Sequence, residues 1–328
     1  MTAVRLGIVG AGSMGGAHAV AVRQNADAEL VVVCDPDLAR ARDVARGALA
    51  VSDLAEFMSV GLDGVIVATP EAAHREVAMT AIAAGLPTLI EKPLATEVDE
   101  ARDIAAAALD SGVLVIPGFN LRYDRRHRDL REWVASGRPG RLVSVALRRN
   151  RPRDLFRIYQ RVHPAFESSS HDVDLALWLT GRRVTTAYAA HRQRAGDTQP
   201  FGVWALLTLD DGTVVTIEGV WSVPPAVPVV KADLVEVIGE DGTAHVDVAR
   251  ELTTYWDERG VTERHFPVAV TAESPYVSID AEIADFVACI VSGRPSDTAS
   301  LSDAVHAVEV VDAIIRSART GRPVDVER

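Results

Sequence analysis

Val4-Arg5-Leu6-Gly7-Ile8-Val9-Gly10-Ala11-Gly12-Ser13-Met14-Gly15 is the stretch that decides the fold. An apolar run of strand character stops on glycines spaced G-x-G-x-x-G, and a helical pattern carries on to about Asn25. The next apolar run, Leu30 to Cys34, ends on Asp35, twenty residues beyond Gly15. Strand, glycines, helix, strand and acid in that order describe a βαβ unit that holds a dinucleotide. Gly10 permits the tight turn, Gly12 lets a pyrophosphate approach the backbone, and Gly15 allows helix to pack on sheet. Ser13 and Met14 open the helix at its positive dipole end, where free amides favour phosphate. Asp35 is placed to accept from the ribose hydroxyls and to repel a 2′-phosphate, so NAD is favoured over NADP. Arg40 and Arg42 lie a turn or two further on and read as solvated helix arginines, although a bent loop would let them meet a phosphate.

Working outward, helical and apolar patterns keep alternating: helix 37–46, strand 48–51, helix 53–58, strand 64–69, helix 71–84, strand 88–91, helix 96–111, strand 113–118. Such alternation predicts a parallel sheet covered on both faces, with ligands at the carboxyl ends of its strands. Thr69-Pro70, Glu91-Lys92-Pro93 and Gly118-Phe119-Asn120 all fall on that edge. His74 follows Pro70 by one helical turn and comes within reach of a bound cofactor. The expected cofactor residues are therefore Gly10, Gly12, Ser13, Met14, Gly15, Asp35, Thr69, Pro70, His74, Glu91, Lys92 and Asn120.

Lys92 stands out chemically. The chain has 34 Lys plus Arg residues, of which only Lys92 and Lys231 are lysine. An arginine stays charged, whereas burial and neighbours can tune an ammonium to exchange a proton near neutral pH. Pro93 disfavours the helical region for Lys92, which holds it extended at a strand tip.

Composition excludes other classes. With 328 residues, 48% hydrophobic and 24% charged, the chain suits two globular domains. A formal charge of -12 argues against nucleic acid or an anionic membrane as partner. Cys34 and Cys289 sit inside apolar patterns and read as buried thiols of a reducing compartment. No apolar stretch approaches a membrane span, and a cytoplasmic location is expected.

Strict alternation stops near residue 123, dividing a Rossmann domain (1–122) from a second domain (123–328). A helix, 124–136, precedes strands at 141–149, 184–193, 202–209, 213–221, 232–239 and 243–248, with helices at 278–291 and 302–317. Asp211-Gly212 and Asp241-Gly242 between apolar runs signal hairpins, so this sheet is expected to be mostly antiparallel. Its densest polar stretch holds Arg148, Arg149, Asn150, Arg151, Tyr159, Arg161, His163, Glu167 and His171. Glu167 and His171 share a helix face if the helix of 171–179 begins early. Their spacing also fits a metal pair, but no second carboxylate or histidine set accompanies it, so no metal site is expected.

The residues GAGSMG at 10–15, Ala68-Thr69-Pro70 with His74, Glu91-Lys92-Pro93, Gly118-Phe119-Asn120 with Arg122-Tyr123, His171-Asp172-Val173-Asp174-Leu175 before Trp178-Leu179-Thr180-Gly181, and Ser317 to Val324 resemble the Gfo/Idh/MocA family of glucose-fructose oxidoreductases and inositol dehydrogenases. The resemblance covers nearly the whole chain. It implies a Rossmann domain followed by an α/β domain with a large, mostly antiparallel open sheet, a tightly held nicotinamide cofactor, and redox chemistry on sugars or cyclitols. It further implies that Lys92 and His171 flank the reacting hydroxyl, with Glu167 standing where the family usually has an aspartate. Arg122, Arg149, Arg151, Tyr159 and His171 are the candidate substrate contacts. An NAD-dependent glycosidase and a non-catalytic NAD-sensing module are the alternatives. A homodimer or homotetramer is expected, because one face of the second sheet lacks helices to cover it.

Overall fold

The computed structural model describes residues 3–157, 160–224, 232–267 and 277–326. Candidate Tyr159 lies outside them. The chain forms two compact units, Met1–Asp124 with Ala269–Val305, and Arg125–Val268 with His306–Arg328.

The first unit contains β1 (Val4–Val9), α1 (Ser13–Gln24), β2 (Ala28–Cys34), α2 (Leu38–Ala45), β3 (Leu49–Val51), α3 (Leu54–Met58), β4 (Gly64–Val67), α4 (His74–Ala83), β5 (Thr88–Glu91), α5 (Val98–Ser111) and β6 (Val115–Gly118). The six strands are parallel in the order β3-β2-β1-β4-β5-β6. Buried from both faces, they read as continuous apolar runs: Val65, Ile66 and Val67 are fully enclosed. Local chemistry sets the helix ends. Asp37 caps α2 by accepting from the amides of Ala39 and Arg40, and Asp53 caps α3 through the Glu56 amide. At the other end of α5, Gly112 takes the left-handed conformation (φ 69°) that terminates a helix cheaply.

Helix α9 (Val277–Ser292) comes after eight of the nine strands of the second half in sequence but packs within the first unit. Its Ile283 and Phe286 are fully buried in one cluster with Leu6, Ile8 and Ala19. Gly64 makes room for it, since a Cβ there would lie 2.8 Å from Ile290 Cδ1. The boundary read from the sequence thus falls two residues short of the first crossing and does not include this return. An amphipathic pattern says that a helix buries one face but not which sheet that face covers.

The second unit holds α6 (Arg125–Ala135), β7 (Leu142–Pro152), α7 (Arg153–Phe156), α8 (Ser170–Thr180), β8 (Val184–Arg192), β9 (Gly202–Leu209), β10 (Val214–Val223), β11 (Ala232–Gly239), β12 (Gly242–Asp247), β13 (Leu252–Asp257) and β14 (Gly260–His265). It is completed by most of α10 (Leu301–Thr320) and by β15 (Val324–Asp325). Nine strands run in the order β14-β13-β12-β11-β7-β10-β9-β8-β15, antiparallel except for the β7–β10 pair. The Asp211-Gly212 and Asp241-Gly242 turns both join antiparallel neighbours, as the hairpin signal predicts. The sequence reading omits β13 and β14. Every residue of β14 is exposed, so no inward-outward alternation marks it.

Candidate active site

The strand ends of the first unit line up as Asp35, Gly10, Thr69, Lys92 and Asn120, in the spatial order β2, β1, β4, β5, β6. At the glycine loop, a Cβ on Gly10 would lie 2.3 Å from the Ala68 carbonyl oxygen, and one on Gly15 would lie 1.9 Å from that of Gly10. Gly10 also needs its positive φ of 103°. A Cβ on Gly12, by contrast, would meet nothing within 4 Å, so the loop is tight beneath and open above. Gly12 gives α1 no side-chain cap, which leaves its first amides to an anion. This is the cradle a pyrophosphate requires.

Asp35 fastens the loop to β2. One carboxylate oxygen accepts from the Ala11 amide at 2.8 Å and the other from the Asp37 amide at 2.9 Å. A carboxylate has about four acceptor positions, so both oxygens retain capacity for ribose hydroxyls. Arg40 pairs with Asp37 at 3.2 Å on the exposed start of α2. At the far side of the edge, Thr69 Oγ1 and Asn120 Oδ1 are buried polar atoms with no hydrogen-bond partner among the described residues. Buried polar atoms are normally satisfied, and two orphans on strand ends that flank β5 fit a polar ligand laid across them.

His74 does not face that ligand. Its ring is enclosed, with Nδ1 2.8 Å from the Pro93 carbonyl and Nε2 3.0 Å from that of Thr69, so it ties the ends of β4 and β5 together. Burial pushes its pKa down, against the pull of the two carbonyls and of Glu91. Glu91 is likewise buried: Oε1 lies 2.7 Å from His18 Nε2, and Oε2 accepts from the Lys92 amide at 3.1 Å. The Lys92–Pro93 bond is cis. His18 escapes the sequence reading, although a histidine set among Ala17, Ala19 and Val20 on a core helix was the available signal.

In the second unit, a π-helical turn (Ala165–Ser169) runs straight into α8. Helical geometry thus extends back past Glu167 and brings it onto one face with His171. From His163 to Leu177 these two are the only residues not buried. Ser168 and Ser169 sit against Gly219 of β10, where a Cβ would come 3.0 Å from Ser168 Oγ. Beneath them Arg149 donates to Asp172 at 2.8 Å and to Asp233 at 2.8 Å, and Arg151 shares Asp233. The two aspartates outweigh burial and raise the Arg149 pKa; burial raises Asp172, opposed by Arg149.

Three substrate candidates therefore have other partners. Arg149 is 5% exposed and braces α8 through Asp172, while Arg151 is held by Asp233 and the Asn150 carbonyl. Arg122, 1% exposed in the first unit, donates to the Thr298 carbonyl and to Asp303. Each acid lies far along the chain from its arginine, so sequence proximity gave no hint of the pairing. His18, Glu91 and Glu282 form a buried group whose ligand atoms lie within 4.8 Å of one another, close enough to be considered for a metal.

Comparison with known proteins is consistent with this geometry. Residues 4–119 match a family model described as "Oxidoreductase family, NAD-binding Rossmann fold", and residues 127–245 match the "GFO/IDH/MocA C-terminal domain". The chain is 30% identical to the rhizopine catabolism protein MocA of Rhizobium meliloti, over 95% of this chain and 94% of that one. It is 29% identical to an inositol 2-dehydrogenase of Rubrobacter xylanophilus, over 99% and 93%. Among solved structures it is similar to GenD2 from gentamicin A biosynthesis, in complex with NAD: 27% identity, TM-score 0.85, covering 100% and 97%.

Proposed function

The chain belongs to the Gfo/Idh/MocA oxidoreductase family, and from that premise we propose that it moves a hydride reversibly between NAD and a secondary alcohol of a sugar or cyclitol, with Lys92 as the acid/base. The reading is carried by the row of strand ends. Lys92 lies two strand spacings, about 10 Å, from the glycine loop, on the side away from Asp35. A dinucleotide with its ribose on Asp35 and its pyrophosphate over Gly12 directs its other end toward Thr69, Lys92 and Asn120. The orphaned Thr69 and Asn120 oxygens suit a carboxamide there. When bound, NAD supplies the acceptor for the hydride that leaves the carbinol carbon.

The protein's own task is the proton. Lys92 Nζ takes it from the hydroxyl as the C–H bond breaks and returns it in the reverse direction. The family resemblance gives Glu167 and His171 the part of acceptor, and of acceptor or donor, for ring hydroxyls, each of which needs both. Inositol 2-dehydrogenases among the relatives support a cyclitol as substrate class. Purified protein with NAD and a panel of inositols and hexoses is expected to gain absorbance at the reduced-nicotinamide band with at least one of them; no gain with any sinks the proposal. Lys92→Ala is expected to keep NAD affinity within a few-fold while turnover falls ~100-fold or more. Unchanged turnover removes Lys92 as the base.

The proposal includes a homo-oligomer. Helix α8 packs against β7 and β10, and strand register puts Tyr188, Leu206, Ile238 and Trp256 together on one sheet face, each exposed by 36% or more. A depression of about 600 Å³, lined by Tyr188, Trp204, Leu206 and Leu234 among others, opens there. An apolar sheet face of this kind is suited to cover by a second copy.

A further inference from the structure

His18 on α1, Glu91 at the end of β5 and Glu282 on α9 come from three distant stretches of the first unit and meet below the strand edge. Their exposures are 0%, 4% and 0%. His18 and Glu91 are joined at 2.7 Å, and the second Glu91 oxygen holds the Lys92 amide. Neither carboxylate oxygen of Glu282 has a hydrogen-bond partner among the described residues. A buried ionised carboxylate with nothing to accept from is costly, and two carboxylates this close resist being ionised together.

Two occupants of the gap are chemically reasonable, a divalent cation or a proton. Ligands on one tetrahedral ion, at ~2.0 to 2.2 Å from it, stand roughly 3.3 to 3.6 Å apart. The 2.7 Å His18–Glu91 contact is shorter than that and is a hydrogen bond. The proton is therefore the better fit. We propose that Glu282 is a positioning residue for Lys92: held protonated beside the His18–Glu91 pair, it keeps that pair in place, and through the hold of Glu91 on the Lys92 amide it fixes where Lys92 stands at the strand edge.

The surroundings keep a proton on Glu282. Burial, then Glu91, then Asp285 raise its pKa well above the usual carboxylate range. Asp285 is itself engaged by Tyr123 at 2.7 Å and by Ser296. The titratable groups facing the cluster are thus His18 from α1, Glu91 from β5, His74 from α4, and Asp285 from α9. Among these, the protonated Glu282 can donate toward Glu91 without adding charge next to the lysine. A redox or metal role is not needed for that task.

The inference rests on the reading of Lys92 as the base, and the test separates the two. Infrared difference spectroscopy on the full-length protein with bound NAD reads the carbonyl stretch of a protonated carboxylic acid, with no dependence on turnover. The band is expected at pH 7.5 in the wild-type protein and absent from Glu282→Gln. With NAD and myo-inositol, Glu282→Leu is expected to lower kcat about tenfold with KM for NAD within about twofold, inside the ~100-fold that a 1 Å misplacement can cost. Glu282→Gln, which keeps a donor of the same size, is expected to recover most of that loss and to alter the pH profile of kcat. The inference is overturned if the band is missing, if both variants keep wild-type kcat and pH profile, or if the purified protein carries one equivalent of a divalent metal that Glu282→Gln loses. If Lys92→Ala keeps its turnover while the band behaves as expected, the base assignment fails and the protonated Glu282 beside Glu91 stands.

Discussion

Replacing Arg149 with methionine isolates the ion cluster under α8. The guanidinium makes contacts at 2.8 and 3.2 Å to Asp172 and at 2.8 Å to Asp233, and it is 5% exposed. Methionine fills much of the volume and supplies no charge. Asp233 keeps Arg151, so the main loss falls on Asp172, which is 1% exposed. Removing one member of a buried pair leaves the other charge uncompensated and typically costs ~3–5 kcal/mol. At roughly 2–4 °C per kcal/mol for a domain of this size, the melting temperature should fall by about 6–20 °C. Guanidinium unfolding followed by tryptophan fluorescence reads the same change as a shifted midpoint. The companion variant, Arg149→Met with Asp172→Leu, should recover most of the loss, because replacing a buried pair by apolar side chains is often neutral. A cost below about 1 kcal/mol for the single variant, or a double variant as unstable as the sum of the two singles, refutes the reasoning.

Three further outcomes follow from particular contacts. Burial, then His191 and Arg319, lower the pKa of His163 to about 4, below its ordinary 6.5; the unfolded chain therefore takes up a proton that the folded one refuses. Stability should fall by roughly 3 kcal/mol as pH drops from about 6.5 to 4, and the difference between wild-type and His163→Gln midpoints at pH 7.5 and 5 should shrink accordingly; an unchanged difference rejects it. Asp35→Ser removes the charge that repels a 2′-phosphate and the carboxylate that holds the Ala11 amide of the glycine loop. Calorimetry should show NAD affinity reduced and the NAD over NADP preference narrowed by at least tenfold; a preserved preference contradicts the role given to Asp35. Leu206→Arg places a charge on the exposed sheet face and should shift sedimentation toward the monomer, whereas an unaltered or already monomeric wild-type profile rejects that face as the subunit contact.

The parts of the molecule legible in the sequence are those in which neighbours along the chain are neighbours in space. Gly10, Gly12 and Gly15 sit between one strand and one helix, and Asp35 ends the very next strand, so the whole cradle spans fewer than thirty residues. Glu167 and His171 are likewise four apart on continuous helical backbone. The arginines were harder. Period-two alternation puts Arg149 and Arg151 on the same face of β7, but the acid that engages both is Asp233, set opposite by strand register. Nothing near residues 149–151 distinguishes an arginine bound for a ligand from one bound for a buried aspartate. The sequence marks His18 as a polar residue on a core helix but, as with Glu282, not what it meets, which shows only when α9 is seen beside α1.

The return of α9 to the first unit also sets an order of events during synthesis. Leu6, Ile8 and Ala19 share a core with Ile283 and Phe286. A nascent chain that has reached Asp124 has all six parallel strands but not the helix that seals them. At ~5–20 residues per second, roughly ten to thirty seconds pass before residue 292 is made. Through that interval an apolar strip stays open to chaperones or to other nascent chains. A fragment cut at the apparent domain boundary would keep the strip exposed permanently, so a soluble cofactor-binding unit made by itself must carry residues 269–305 grafted back onto its end.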